Sequence, residues 1–116
     1  MNIEELRDYC LSKKGSSEGF PFDDKVLVFK VVNKMFALTN IDEGERVNLK
    51  CKPEKAIELR EVHPEITPGY HMSKVHWNTV SIVGNLSNDF IKQLIDDSYN
   101  LVVSKLTKKE KTLLEK

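Results

Sequence analysis

The chain has 116 residues, 40% of them hydrophobic and 31% charged, and its 18 basic and 18 acidic side chains cancel to zero. Such a composition excludes a disordered tail and suits one domain with one core. Its apolar stretches, such as Val26 to Phe29, are far too short to span a bilayer, and neutrality argues against strong nonspecific binding to nucleic acid.

The charge is unevenly spread. Residues 1–24 carry three basic and six acidic groups, and residues 25–52 carry six and three. Residues 53–104 carry four and seven, and the tail 105–116 carries five and two. The two basic segments are therefore the hairpin region and the tail. Met1-Asn2-Ile3-Glu4-Glu5 lacks the basic and apolar blocks of a signal peptide, so a cytoplasmic monomer is expected. Cys10 and Cys51 both fall in apolar patterns, and the expectation is two reduced thiols.

In chain order, Asn2 with Glu5 forms a capping box for a first helix, whose inner residues are Ile3, Leu6 and Cys10. Lys13-Lys14-Gly15 suits its C-terminus. Ser16 to Gly19 reads as loop, and Phe20-Pro21-Phe22 as an extended piece packed under that helix. From Val26 the period becomes two. Val26–Val32 and Met35–Ile41 read as strands joined by a two-residue turn at Asn33-Lys34. Asp42 to Glu45 makes the next turn, and Arg46–Lys52 alternates as a third strand.

Matching these strands predicts a core face of Leu27, Phe29, Val31, Phe36, Leu38, Val47, Leu49 and Cys51. The open face then carries Lys30, Ala37, Thr39, Arg46, Asn48, Lys50 and Lys52, a basic surface. Pro53 opens a second helix with an inner stripe of Ala56, Ile57, Leu59 and Val62, and His63-Pro64 ends it. Residues 64–74 read as loop, and His76 to Val83 as another strand. Ser87 caps the longest helix, which presents Phe90, Ile91, Leu94, Ile95, Leu101 and Val102. Thr107 to Glu110 is a capping box for a short basic terminal helix. The expected class is α+β, a single antiparallel sheet with helices on one face. The main unit would span residues 1–106, with residues 107–116 as an appended basic helix or tail.

Residues 63–79 hold all three histidines, the sole tryptophan and Lys74. Loops this rich in special side chains are site candidates. Within them, Tyr70-His71-Met72-Ser73-Lys74-Val75-His76-Trp77, ahead of a short strand and a long helix, resembles the signature of the MmcQ/YjbR family. Phe20-Pro21-Phe22-Asp23 and the hairpins before Pro53 fit the same family, so the resemblance covers roughly residues 1–106. The chain departs from many relatives in having Ser73 where they have Asn. The resemblance implies a CyaY-like fold and a DNA-binding protein with a double-wing arrangement.

On that reading Lys30, Lys34, Arg46, Lys50, Lys52 and Lys74 contact phosphates, while Tyr70, His71, His76 and Trp77 stack on bases or hold a ligand. Alternating cations also keep a sheet face soluble, a lone Trp usually packs, and His76-Trp77 would equally serve as a latch holding the loop on the sheet. A protein-interaction or small-molecule module with a pocket under Tyr70, His71 and Trp77 is the alternative. His63, His71 and His76 match no zinc-ligand spacing, so no metal is assigned. No phosphate-loop motif or paired nucleophile occurs, so no cofactor and no catalytic residue are assigned, and a histidine-dependent enzyme is a minor reading.

Overall fold

A computed structural model describes residues 1–115. The elements are α1 (Ile3–Leu11), β1 (Ser16–Gly19), β2 (Val26–Val31), β3 (Lys34–Asn40), β4 (Arg46–Lys50), α2 (Pro53–Val62), β5 (Ile66–Pro68), β6 (Trp77–Ser81), α3 (Asn88–Ser104) and α4 (Lys108–Glu115). All strands pair antiparallel in one sheet of order β1-β2-β3-β4-β6-β5. The fold is α+β, with the main core between the sheet's inner face and the helices. Among the described residues no helix is long and apolar enough to cross a membrane.

Local chemistry sets the helix starts. Asn2 and Glu5 exchange the two bonds of a capping box, Ser87 accepts from the Phe90 amide, and Thr107 and Glu110 form a second box. Leu6, Phe29, Phe36, Ile91 and Ile95 are fully enclosed. Each contributes about 1.5–3 kcal/mol by leaving water. Leu114 of α4 packs onto the same core beside Gly15.

Several expectations are corrected. Ser16–Gly19 is not loop but an edge strand paired with β2, from Ser16 opposite Val31 to Gly19 opposite Val28. The chain then leaves the edge, so Phe20 and Phe22 are 47% and 65% exposed instead of lying under α1. The hairpin turn is Val32-Asn33, one residue early, with φ of 47° and 64°. Both residues are left-handed, as the right-handed twist of a two-residue hairpin requires.

The strand faces are corrected by a β-bulge. Phe29 faces Ala37 but Lys30 faces Met35, leaving Phe36 as the extra residue. One extra residue flips every side chain beyond it. Phe36 and Ala37 consequently both enter the main core, while Leu38 turns to the outer face and packs with Val28 and Trp77. Thr39, opposite Leu27, follows Ala37 rather than the outer face. On α2 only Ala56 and Leu59 are buried, and Ile57 and Val62 lie outside. The 64–74 segment contains the short strand β5 at the sheet edge, where Pro68 needs no ladder donor.

Candidate functional site

The outer sheet face is not an open basic plane. Val28, Leu38 and Trp77 form a second small core there, with Val26, Met35 and Met72 packed around it. The 69–76 segment folds over this face and is tied down by a polar chain. The Tyr70 amide donates to Thr79 Oγ1 (2.9 Å), Thr79 Oγ1 donates to Asn48 Oδ1 (2.6 Å), and Asn48 Nδ2 donates to the Tyr70 carbonyl (3.3 Å). Asn48 and Thr79 are cross-strand partners, so β4–β6 pairing aligns this chain. At the far end the Trp77 amide donates to the Ser73 carbonyl (2.9 Å), and Arg60 Nη1 donates to the Lys74 carbonyl (2.9 Å).

The aromatic and histidine residues divide between two hollows. Tyr70 and His71 border a cleft of about 360 Å³ with Phe22, Val26, Leu38 and Met72. Tyr70 is 61% exposed, its ring lies 4.0 Å from that of His71, and His71 holds a left-handed φ of 58°. His76 and Trp77 instead border a neighbouring hollow of about 420 Å³. Trp77 is only 7% exposed and packs on Val28 and Leu38. Its ring is thus largely enclosed against the outer face of the sheet.

The six cations read from the sequence do not share one patch. Lys50 lies directly opposite Trp77 in the β4–β6 ladder. Lys50 and Lys52 line the second hollow together with Lys105, Ser73 and His76, and Glu54 is its one carboxylate. None of these three lysines is ion-paired among the described residues. Arg46 sits at the opposite end of β4, where Nη2 meets Glu43 Oε2 at 2.8 Å. Lys30 borders a separate hollow with Glu18 and Phe20 beside β1, and Lys34 lies close enough to α4 to help lower the Glu110 carboxyl, whose main stabilisation is the Thr107 amide. Lys74 reaches back to the Gly69 carbonyl (3.3 Å).

Lys105 escaped the sequence reading as a site residue, although the tail's positive charge pointed to it. Phe22 was visible as a large ring beside a proline, but its exposure depends on β1 leaving the sheet. His63 is remote from His71 and His76, its ring 4.8 Å from Phe90. Among the described residues no three His, Cys, Asp or Glu side chains converge as metal ligands. Cys10 is buried within α1 and its thiol is pushed up to about 12 by burial. Cys51 is half-buried, and burial followed by Asp97 raises its thiol against the opposing pull of Lys55 and Arg60.

Comparison with known proteins places these features in a lineage. A family model described as YjbR matches residues 11–101. The uncharacterized protein YjbR of Escherichia coli K12 is 36% identical over 115 residues, covering 98% of both chains. The uncharacterized protein YbdF of Escherichia coli O157:H7 is 39% identical over 92 residues, 78% of this chain and 75% of its own. Among solved structures, Deinococcus radiodurans protein DR2400 superposes with a TM-score of 0.90 at 42% identity, covering 97% of this chain and 87% of that one. A Pseudomonas syringae protein does so with 0.75 at 33% identity, covering 87% and 98%.

Proposed function

The chain belongs to the YjbR family, and on that premise we propose that it is a noncatalytic binding protein for nucleic acid, DNA being the ligand tested first. The observation that carries this reading is the convergence of Lys50, Lys52, Lys105 and His76 in one hollow, with a single carboxylate and no ion pair to occupy the lysines. A hollow so charged suits a phosphate group. The cleft beneath Tyr70 begins at Asn48, two residues back along β4 and so roughly 7 Å away at the usual rise per residue. A backbone phosphate at Lys50 and an unpaired base against Tyr70 fit that spacing, and the base would enter between Tyr70 and Phe22. Stacking of this kind is sequence-tolerant and worth about 1–3 kcal/mol per base.

Arg46, Lys30 and Lys34 are peripheral on this geometry, and Lys74 orders the loop rather than gripping the ligand. Fluorescence anisotropy with a duplex and a single strand at ~50 and ~200 mM salt provides the test. If three phosphates are neutralised, affinity should fall about 40-fold across that range for duplex and about 20-fold for single strand. The single strand should bind more tightly because only it presents an unstacked base. Reversing Lys50, Lys52 and Lys105 to Glu should abolish binding, while Arg46→Glu should change it less than two-fold, roughly the weight of a charge already held by a carboxylate. Binding that is absent at low salt, or indifferent to the triple reversal, would remove the nucleic-acid reading.

A further inference from the structure

α2 and α3 run antiparallel on the inner side of the sheet, and the hollow between them adjoins the basic one, sharing Lys50, Cys51, Lys52 and Leu101 with it. Their far ends meet where His63 touches Phe90 at 4.8 Å between ring centroids. Towards Lys52 and Ser104 the two helices flank a wedge of about 440 Å³. Leu59 of α2, Leu94 and Leu101 of α3, and Leu49 and Val80 of the sheet form its walls. The volume lies within the roughly 300–1,000 Å³ of small-molecule sites and far exceeds the ≈ 30 Å³ share of one water.

The mouth of the wedge is polar and asymmetric. Lys52 and Lys55 border it with a single carboxylate, Asp97, whose Oδ1 already accepts from Gln93 Nε2 at 2.9 Å, while Lys50, opposite Trp77 in the ladder, contributes its backbone. Neither Lys52 nor Lys55 forms an ion pair among the described residues. An apolar hollow with a cationic mouth is complementary to an amphiphile with an anionic head. We propose that the wedge between α2 and α3 binds a small amphiphilic carboxylate. Its chain lies against Leu59, Leu94 and Val80, and its carboxylate rests at Lys52 and Lys55. With Lys52 and Lys55 against Asp97, the charge at the mouth disfavours a cationic head.

Cys51 lines the same wedge, whereas Cys10 is fully enclosed. Thiol chemistry on the folded protein therefore reports on the site. Decanoate is the probe, with decylammonium and decanol as comparators, followed by calorimetry and by the rate of Cys51 modification with a maleimide. Decanoate should bind at least ten-fold more tightly than either comparator and should slow Cys51 modification at saturation. Lys55→Glu, an exposed change that leaves the fold intact, should weaken decanoate about ten-fold, and Leu101→Trp should block it. Lys55 does not line the basic hollow, so Lys55→Glu should retain wild-type nucleic-acid binding, which separates the two proposals. Equal binding of decylammonium, or a Cys51 rate unmoved by decanoate, would overturn the assignment.

Discussion

Replacing Ser98 by alanine is expected to lower the midpoint of thermal unfolding by roughly 12 °C. Ser98 is fully buried on α3, yet its hydroxyl belongs to the sheet. It donates to the Phe36 carbonyl at 2.6 Å and accepts from the Lys50 amide at 2.9 Å. The β3–β4 ladder pairs Ala37 with Leu49 and Leu38 with Asn48, so Phe36 and Lys50 would be its next pair. The bulge at Phe36 pushes them apart, and the serine bridges the gap. An alanine leaves a buried donor and a buried acceptor unmet. At about 1–3 kcal/mol for each, the loss is about 3 kcal/mol after partial reclosing of the strands. For a domain of this size that is about 4 °C per kcal/mol. A melt within two degrees of wild type would mean that the strands close directly. The same variant should loosen Lys50 and weaken nucleic-acid binding, a coupling that a purely superficial lysine would not show.

Gly69→Ala is expected to cost a similar amount, about 3 kcal/mol, for a steric reason. A Cβ at position 69 would lie 2.7 Å from Trp77 Cβ and 2.9 Å from the Trp77 carbonyl oxygen. Neither atom can swing away, because both belong to a strand held on the other side by β4. The Gly69 amide also donates to that Trp77 carbonyl at 2.9 Å, so relief of the clash breaks the bond. Trp77 is the sole tryptophan, and its emission reports the outcome directly. A red shift with a midpoint lowered by about 10 °C is expected, together with release of the 69–76 cover. Unchanged emission and midpoint would show that β5 moves aside freely, and the latch account of Trp77 would fail.

The faces that the sequence could not assign have a common cause. Lys50 follows from strict alternation in β4, and its place on the outer side is legible without a structure. Leu38 and Ala37 are also part of an alternating run, but the single inserted residue at Phe36 reverses them. Nothing local distinguishes a bulged Phe36 from a regular one. Lys105 joins Lys50 only because α3 crosses the sheet and ends beside β4. The wedge beyond it depends on the angle between α2 and α3. Ile57 and Val62 looked like core because apolar spacing marks a helix face, and only the helix's rotation over β5 and β6 turns them outward.

The sequence by itself determined the helix caps, the hairpin region, the α+β class and the family signature from Tyr70 to Trp77. These rest on interactions between residues a few positions apart, where covalent geometry leaves few choices. The tertiary structure alone decided which cations meet, that Trp77 packs on Val28 and Leu38, and that a wedge opens beneath α2. Those outcomes depend on register, bulges and helix crossing angles, which are set by the summed packing of distant segments.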